Sequence, residues 1–283
     1  MTDAPTVVVS DVARVKQQRL EALLGQLGSV VVAFSGGVDS AYLAVVAARA
    51  LGTRALAVTG DSPSYPDNHR QLARQVAGDF QIAHEFVLTD ELARDGYRAN
   101  AGDRCFHCKT ELYGTLSALA LARGFACVVD GTNADDRGDY RPGRAAARDH
   151  AVRSPLDEVD LGKDEIRALS HALGMRTWDE PASACLSSRI PHHVEVTAPK
   201  LKQIERAESA VRALGFRVFR VRHHEQVARL EIARDEMARA LEPDIAARLV
   251  TELKAAGYLH VSLDLQGYRQ GSLNEPLVLR PVS

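Results

Sequence analysis

Residues 30–40 constrain the fold of this chain more than any other segment, because an apolar run ends there abruptly in a glycine-rich turn. The run Val-Val-Val-Ala-Phe is typical of a buried strand, and an apolar helical pattern resumes at Ala41. The two glycines allow the backbone to approach a ligand closely. The N–H groups of the turn and of the first helical turn can bind an anion. The segment therefore predicts a strand, a phosphate-binding turn and a helix. The candidate ligand contacts are Ser35, Gly36, Gly37, Asp39 and Ser40.

The carboxylate of Asp39 can hold a metal ion or cap the helix. No lysine follows the glycines, so the turn is not the G-x-x-x-x-G-K-[ST] nucleotide loop. An ordinary strand–turn–helix without a ligand is the alternative interpretation.

Composition excludes several classes of protein. A length of 283 residues allows one large or two medium domains with an ample core. The net charge of −2 argues against a broad nucleic-acid-binding face. No apolar stretch approaches the ~20 residues of a membrane span, and residues 1–5 begin no secretory signal, so we expect a cytoplasmic protein. Four cysteines in a chain of this length do not form a disulfide framework, and in a reducing cytosol they indicate metal binding or catalysis.

Strand and helix patterns alternate through the first half of the chain. Strands are predicted at 30–34, 54–59, 82–87 and 126–130, and helices at 11–27, 40–51, 67–77 and 106–123. This alternation predicts an α/β fold with a doubly wound parallel sheet. Ligands of such sheets bind beyond the carboxyl ends of the strands. The loops 35–40, 60–66 and 131–142 should therefore carry the chemistry.

The pattern changes in the second half, after a proline-punctuated segment at 178–198 that we interpret as a functional loop and linker. Helices are predicted at 199–214 and 235–256, and strands at 216–222, 226–233 and 259–265. We therefore expect a larger domain, residues 1–190, that carries the glycine turn and the cysteines. A smaller C-terminal α+β domain, residues 191–283, should follow it.

Polar residues follow the second and fourth predicted strands. Thr59 can offer backbone groups to the edge of an adenine, and Gly131 allows close approach of the backbone. Asn133, Asp135 and their acidic neighbours can coordinate Mg²⁺. Alternatively, they build turns by bonding to their own backbone. Their position at the same sheet edge as the glycine turn favours ligand binding.

Cys105 and Cys108 form a C-x-x-C pair at the start of a predicted helix, where the helix dipole favours thiolate. Their spacing leaves three interpretations open. The pair can be a redox dithiol, or half of a zinc site that lacks a second C-x-x-C. Together with Cys185 it can also hold an iron–sulfur cubane through three irons. Cys127 lies in an apolar stretch, and we interpret it as a buried core residue.

Taken together, these motifs resemble the LarE family of ATP-dependent sulfur transferases. The glycine turn is similar to the SGGxDS signature of the PP-loop ATP pyrophosphatases, and alone it indicates only that superfamily. The more specific segments are 181–189, around Cys185, and 219–224. Further matching segments lie at 61–64, 130–136, 139–143, 228–231 and 267–274. The resemblance covers nearly the whole chain.

The resemblance implies a reaction and its cofactors. ATP, with Mg²⁺, would adenylate a carboxylate of a pyridinium-3,5-dicarboxylate mononucleotide, and sulfur would then replace AMP. Repetition on the second carboxylate would give the bisthiocarboxylate used for a nickel-pincer cofactor. In some family members the cysteine that matches Cys185 donates its own sulfur, and those members lack the C-x-x-C pair. Cys105 and Cys108 match the branch that binds a [4Fe-4S] cluster through three cysteines. We therefore expect a cluster-bound sulfide, and not Cys185, to supply the transferred atom.

The resemblance also implies roles for single residues and for each domain. The catalytic set is Asp39, Cys185, Ser188 and Arg189. The substrate-binding set is Arg220, Arg222, Glu231 and Arg269, in which the arginines would hold the phosphate of the substrate. Arg220 and Arg222 share one face of a predicted strand, which suits a phosphate, although solvated strand charges are the alternative. The first domain would bind ATP, and the second would bind substrate or other copies of the chain. Besides its substrate we expect a sulfide source and a homo-oligomer, but neither membrane nor nucleic acid, as partners.

Three other functions remain as alternatives. A PP-loop tRNA thiolase also combines the glycine turn with three cysteines and a cluster, but it needs a basic surface for RNA. An amide-forming synthetase of the GMP or NAD synthetase type gives no reason for three cysteines. A non-catalytic sensor of adenine nucleotides would release no pyrophosphate.

Overall fold

The computed structural model of the chain describes residues 7–138, 142–181 and 184–269. Parts of the motifs named above lie outside these residues, namely Asp139, Tyr140, Arg141, Ala182, Ser183 and residues 270–274. The structure divides into two compact units. The first comprises Met1–Ser62, Asp67–Glu91 and Cys105–Ser183, and the second comprises Pro63–Pro66, Leu92–Arg104 and Ala184–Ser283.

Helices and strands follow one another through the described part of the chain. In order they are α1 (Asp11–Leu27), β1 (Val30–Ala33), α2 (Val38–Leu51), β2 (Ala55–Asp61), α3 (Asp67–Asp79), β3 (His84–Leu88), α4 (Asp95–Arg98), α5 (Arg104–Arg123), β4 (Cys127–Asp130), α6 (Gly143–Asp149), α7 (Pro155–Glu158), α8 (Lys163–Ala172), α9 (Ala198–Ala213), β5 (Phe219–His224), β6 (Val227–Ile232), α10 (Met237–Ala240), α11 (Pro243–Ala255) and β7 (His260–Leu263). Short 3₁₀ turns lie at Gly52–Arg54, Glu91–Ala93, Ala134–Gly138, Arg176–Asp179, Leu186–Arg189 and Arg234–Glu236.

A parallel sheet with the strand order β3-β2-β1-β4 forms the centre of the first unit. Ala33 at the end of β1 pairs with Val58 of β2 and with Asp130 of β4. The carboxyl ends of these strands therefore meet at one edge, where the glycine turn and the loop after β4 begin. The predicted α/β parallel sheet is confirmed.

Helices cover both faces of this sheet. Val30 and Val32 of β1 belong to a hydrophobic cluster with residues of α1, α2, α3 and α8, whereas Val31 and Ala33 belong to a second cluster with residues of α5 and α6. Alternate side chains of a strand point to opposite faces, and both faces are buried here. This explains why β1 is apolar at every position instead of at every second one.

The second unit contains a three-stranded sheet with the order β5-β6-β7, in which β5 and β6 pair antiparallel and β6 and β7 pair parallel. Its core includes Phe216 and Phe219 together with Leu253 of α11. The prediction of one helix over 235–256 is wrong. The segment contains a 3₁₀ turn, α10 and α11, because Pro243 has no N–H for a continuous helix and instead begins α11.

Two further observations concern the predicted organisation. The predicted strand at 216–222 begins at Phe219, three residues later than expected. The predicted boundary between residues 190 and 191 remains a prediction, and the second compact unit also includes the short segments Pro63–Pro66 and Leu92–Arg104. Within the described part of the chain, no helix combines the length and the apolar composition that a membrane crossing requires.

Candidate active site

The glycine turn joins β1 to α2 in the first unit. Gly36 has φ +70, and a Cβ there would lie 3.1 Å from the backbone N of Ala73 and 3.2 Å from the backbone O of His69. Both the left-handed backbone and the close packing against α3 require glycine at this position. Ser40 Oγ accepts from the N–H of Ser35 at 3.1 Å and donates to the carbonyl of Gly37 at 3.1 Å. The turn is thus closed by its own serine, and no side chain caps the start of α2.

Asp39 lies in the first turn of α2, where the helix dipole stabilises a negative charge. Lys163 Nζ forms an ion pair with Asp39 Oδ2. The other oxygen, Oδ1, is buried and has no hydrogen-bond partner among the described residues. A buried carboxylate oxygen without a partner is costly, and a cation bound at this point would remove that cost.

Lys163 was missed by the sequence analysis. It is the first residue of α8, and its backbone N–H also donates to Asp135 Oδ2 at 2.6 Å. The rule that ligands bind after strands directs attention to the loops that follow β1, β2 and β4. A lysine that begins a helix 124 residues after Asp39 falls outside that rule. The available signal was the short segment Leu161-Gly162-Lys163, which places a lysine at the start of a helical pattern.

The loop after β4 packs directly on the glycine turn. A Cβ on Gly131 would lie 2.8 Å from the backbone N of Ser40, so glycine is required by this close approach. Asn133 Oδ1 accepts from the N–H of Asp135 at 3.0 Å, and Asp135 in turn accepts from the start of α8. Asn133 and Asp135 thus make hydrogen bonds that stabilise turns. Whether they also bind a ligand, as the sequence predicts, stays a prediction.

Asp130 at the end of β4 has a structural role in the described contacts. Its carboxylate accepts from Tyr113 Oη at 2.5 Å, from Ser154 Oγ at 2.8 Å and from both the Oγ1 and the N–H of Thr132 at 3.0 and 3.1 Å. Both oxygens are thus occupied in a buried position. Asp39, which keeps one oxygen without a partner among the described residues, is therefore a better candidate for a metal ion than Asp130.

Thr59 near the end of β2 is buried and joined to the glycine turn. Its hydroxyl donates to the carbonyl of Phe34 at 2.7 Å and lies 2.8 Å from His84 Nε2. Burial, and then the nearby charge of Arg74, lowers the pKa of His84. Because the single hydroxyl hydrogen of Thr59 is donated to Phe34, the contact with His84 requires its Nε2–H to be the donor. The side chain of Thr59 therefore holds β2 against the residue before the turn, and the predicted adenine contact through its backbone stays a prediction.

The four cysteines, all of which are among the described residues, form no disulfide. Cys105 is exposed and Cys108 half-buried at the start of α5 in the first unit, and Cys185 is half-buried in the second unit. Across the described ranges, no three His, Cys, Asp or Glu side chains form a ready metal site. The three-cysteine site thus stays a prediction. Cys127 is half-buried and packs against the core of the first unit, and burial raises the pKa of its thiol.

Cys185 begins a tight loop in the second unit. Its Sγ lies 2.8 Å from Ser187 Oγ, and its carbonyl accepts from both the N–H and the Oγ of Ser188 at 3.0 and 2.8 Å. Arg189 donates to the carbonyls of Ala184 and Cys185 at 2.8 and 3.1 Å. The predicted catalytic residues Ser188 and Arg189 thus bind the backbone of Cys185, and these contacts fix the shape of the loop.

A buried ion pair anchors this loop to α9. Arg189 Nε and Nη2 donate to the two carboxylate oxygens of Glu208 at 2.8 and 2.7 Å, and Glu208 also accepts from the N–H of Val221 at 3.0 Å. Burial opposes ionisation of Glu208, but the charge and hydrogen bonds of Arg189 outweigh it, so the pKa of Glu208 is lowered. Glu208 was missed by the sequence analysis, because a single acidic residue in a helical pattern shows no sign of a distant partner.

The arginines of β5 are not solvated strand charges. Arg222 is buried, pairs with Glu231 at 2.8 Å and donates to the carbonyl of Ser188 at 2.8 Å. Glu231 is 1% exposed and also pairs with Arg229 at 3.2 Å. Neither arginine of β5 has an acidic neighbour along the chain, but Glu231 lies across the hairpin. Glu231 thus serves at least as the counter-charge of two arginines.

Arg220 lies near a second guanidinium, that of Arg189, and near the Glu208 carboxylate that pairs with Arg189. Burial, and then the neighbouring Arg189 guanidinium, lowers the pKa of Arg220 to about 10. Its guanidinium carbon is 4.9 Å from the centre of the Tyr268 ring. Arg269 contacts Gln266 at the surface of the same unit. A bound anion would relieve the repulsion between Arg189 and Arg220, so the surroundings of Arg220 favour a negatively charged ligand.

Comparisons with known proteins extend these observations. Residues 20–136 match the family model described as asparagine synthase. An uncharacterized protein of Synechocystis sp. is 43% identical over 93% of this chain and 98% of its own length. The pyridinium-3,5-bisthiocarboxylic acid mononucleotide synthase of Lactiplantibacillus plantarum is 34% identical over 93% of this chain and 95% of its own length. One chain of the glutamine-hydrolyzing GMP synthase of Methanoregula boonei is 27% identical, over 56% of this chain and 55% of its own length.

Proposed function

Since the chain belongs to the LarE family of pyridinium-3,5-bisthiocarboxylic acid mononucleotide synthase, we propose that it is an ATP-dependent sulfur transferase acting on a pyridinium-3,5-dicarboxylate mononucleotide. The observation that carries the proposal is the extent of the similarity. The asparagine synthase match ends at residue 136, before the Cys185 loop, whereas similarity to the Lactiplantibacillus protein covers 93% of the chain. The likeness therefore is not confined to an ATP-binding turn shared by many enzymes.

ATP binding is assigned to the first unit. The uncapped start of α2 and the glycine turn offer N–H groups to phosphate oxygens. Asp39 Oδ1 fits a Mg²⁺ ion, because this oxygen is buried without a partner among the described residues. Lys163, already paired with Asp39, would neutralise charge on the departing pyrophosphate. Thr59, Gly131, Asn133 and Asp135 are proposed nucleotide contacts at the same sheet edge.

The proposed reaction activates a carboxylate that is otherwise a poor electrophile. A carboxylate oxygen of the substrate bonds to the α-phosphorus of ATP, and the bond from that phosphorus to the β-bridging oxygen breaks. Pyrophosphate leaves and an acyl adenylate remains. Hydrosulfide sulfur then bonds to the acyl carbon, the carbon–oxygen bond to AMP breaks, and a thiocarboxylate and a proton are released. When bound, Mg²⁺ stabilises the charge on the phosphates.

Sulfur delivery is proposed to use all three cysteines of the predicted site. Cys105, Cys108 and Cys185 are not joined in disulfides, and three thiolates are a donor set that fits a [4Fe-4S] cluster with one iron open. When bound, the cluster would supply a sulfide for the acyl carbon. The chain's own contribution is the tight loop in which Ser188 and Arg189 fix Cys185.

Iron analysis and mass spectrometry test this source of sulfur. Anaerobically purified protein is expected to be brown and to contain iron, and the Cys105→Ala variant is expected to be colourless. After several turnovers Cys185 should retain its sulfur. Conversion of Cys185 to dehydroalanine would instead show that the cysteine itself is consumed.

The substrate phosphate is assigned to Arg220, Arg222 and Arg269 in the second unit. The support is the closeness of Arg220 to the Arg189 guanidinium, since a phosphate would relieve the repulsion between the two cations. The Glu231 carboxylate keeps Arg222 and Arg229 in place and is itself a proposed substrate contact.

We further propose that residues 1–190 and 191–283 are two functional domains, that the chain forms homo-oligomers in the cytoplasm, and that a separate protein or sulfide pool supplies sulfur.

Release of pyrophosphate tests the proposed function. Purified protein with ATP and Mg²⁺ should release pyrophosphate and AMP only when the pyridinium dicarboxylate mononucleotide is present. Asp39→Asn should abolish this release while the circular dichroism spectrum is retained. Release that requires tRNA, or no release with any carboxylate, would contradict the proposal.

A further inference from the structure

We propose that Asn100 and Arg104 are positioning residues that hold the Cys185 loop, residues 184–194, in its working conformation. The inference rests on the proposed function in one respect, that Cys185 takes part in sulfur delivery. Neither residue belongs to the glycine turn, the cysteine set or the arginine set. Both come from the segment Leu92–Arg104, which belongs to the second compact unit.

Asn100 is completely buried, has a left-handed backbone with φ +52, and forms several hydrogen bonds to the loop. Its Nδ2 group donates to the carbonyls of Pro191 at 2.7 Å and Val194 at 3.0 Å, with the carbonyl of Ile190 at 3.3 Å. Its own carbonyl accepts from the N–H of His193 at 3.0 Å. One side chain therefore binds three backbone carbonyls in the second half of the loop, and the backbone of Asn100 binds a fourth group there. Asparagine suits the position, because it tolerates a left-handed backbone better than most residues.

Arg104 binds the first half of the same loop. It is 8% exposed, and its Nη1 group donates to the carbonyl of Ser187 at 3.0 Å and to Asn100 Oδ1. The hydroxyl of Ser187 in turn lies 2.8 Å from Cys185 Sγ. A continuous chain of contacts thus runs from Asn100 through Arg104 and Ser187 to the sulfur. Arg104 is also the residue immediately before Cys105 in the sequence.

Three further carbonyls of the loop accept hydrogen bonds from a second set of donors. Arg189 binds those of Ala184 and Cys185, and Arg222 binds that of Ser188. Arg189 and Arg222 already have proposed roles toward the reaction, and each also pairs with a buried carboxylate. No role toward the reaction is proposed for Asn100 or Arg104. Because the contacts described above bind the loop, their loss should loosen Cys185 while the proposed substrate contacts stay in place.

Alkylation of Cys185 measures this directly in iron-free protein. Wild type, Asn100→Gly and Arg104→Lys are treated with iodoacetamide, and modification of Cys185 and Cys127 is followed by peptide mass spectrometry. Glycine accepts the left-handed backbone but lacks the amide, and lysine keeps the charge but lacks the planar fork. We expect Cys185 in Asn100→Gly to react about tenfold faster, because several hydrogen bonds that oppose local opening are lost. A smaller increase is expected for Arg104→Lys.

The matched control is Glu225→Gly, which changes another left-handed residue, φ +53, in the turn between β5 and β6. Its Cys185 should react as in wild type, and Cys127 should react equally in all four proteins. Should Asn100→Gly fail to fold, Arg104→Lys decides the question. Wild-type reactivity of Cys185 in the folded variants would overturn the proposal.

A second readout separates positioning from general stability. With ATP and substrate, the variants should release pyrophosphate at nearly the wild-type rate but form fewer thiocarboxylates per pyrophosphate, because adenylation no longer leads efficiently to sulfur transfer. An unchanged ratio would overturn the positioning role. Failure of the wild type to release pyrophosphate would contradict the proposed function instead, and the alkylation result would be unaffected.

Discussion

Asp39 and Lys163 illustrate how single side chains prepare the candidate ATP site. The lysine holds one carboxylate oxygen of Asp39, and the other oxygen is buried without a partner among the described residues. The ammonium keeps the carboxylate oriented before a ligand arrives. It also places a positive charge beside the first turn of α2, where phosphates are expected to bind. The proposal is therefore that the pair combines a metal ligand with a cation for the leaving group.

Replacing this lysine tests that assignment. Lys163→Met should lower kcat/KM for pyrophosphate release by roughly 10²-fold, because a preorganised charge on the leaving group is lost. The control is Lys16→Met. Lys16 lies in α1, and its ammonium pairs at 2.9 Å with Glu165, which belongs to the same helix as Lys163, α8. Steady-state kinetics on the two variants give the comparison. Equal rates for Lys163→Met and Lys16→Met would contradict a role for Lys163 in the reaction.

The Arg189–Glu208 pair makes a separate prediction about stability. Both side chains are at most 5% exposed, so removal of one charge leaves the other buried and uncompensated. Glu208→Gln should lower the free energy of unfolding by about 3–5 kcal/mol, measured by urea denaturation. The control is Glu85→Gln, which removes the partner of Arg123. Each side chain of that pair is more than 40% exposed, so the substitution should change the free energy of unfolding little. Similar effects of the two substitutions would show that the Arg189–Glu208 pair is not effectively buried.

At the scale of elements, the second unit owes its shape to β5, whose two faces differ. Phe219, Val221 and His223 are buried, and the first two belong to the core of the unit. His223 Nδ1 lies 3.0 Å from Tyr258 Oη, and burial lowers the pKa of His223. The strand thus places a neutral imidazole beside the core, while Arg220 and Arg222 occupy the alternate positions.

The unit should consequently lose stability in mild acid. Because the folded pKa of His223 is lowered, the unfolded chain binds more protons below its ordinary pKa of about 6.5. The contribution of the neutral ring is therefore complete above that pH and is lost as the pH falls through the folded value. Thermal unfolding between pH 7.5 and pH 5, about the range in which histidine titrates, should show a smaller decrease in Tm for His223→Asn than for wild type. Equal decreases would rule out His223 as the source.

Local sequence patterns predicted most elements of the first unit, because β1, the glycine turn and α2 are determined by neighbouring residues. Burial on both sheet faces follows from the apolar run of β1. The same patterns predicted one helix where Pro243 separates two. Local sequence patterns also do not indicate which side chains will pair with each other in the folded protein. The pairs of Asp39 with Lys163 and of Arg189 with Glu208 arise only when distant segments are brought together by folding.

The same limit applies to the candidate site. The glycine turn was predicted from residue types that the chemistry itself requires, and Gly36 and Gly131 are indeed needed for close packing. Asn100 and Arg104 act through hydrogen bonds to backbone carbonyls of a loop about ninety residues away. Any sequence can supply those carbonyls, so no motif marks the residues that bind them.

At the scale of the whole molecule, the two compact units contain the residues of different parts of the proposed chemistry. The first contains the glycine turn, Asp39 and Lys163, which suit activation by ATP, and the second contains Cys185 and the arginines of β5. Full-length similarity to the Lactiplantibacillus synthase includes both parts. The central claim is therefore that this chain couples adenylation of a carboxylate to replacement of its oxygen by sulfur.

The most direct test of that claim is mass spectrometry of the nucleotide product. The purified protein is incubated anaerobically with ATP, Mg²⁺, a sulfide source and the pyridinium dicarboxylate mononucleotide. The account predicts a product in which carboxylate oxygen is replaced by sulfur, with one AMP and one pyrophosphate formed for each sulfur introduced. A product that gains an amide nitrogen, or ATP cleavage without any sulfur in the product, would contradict it.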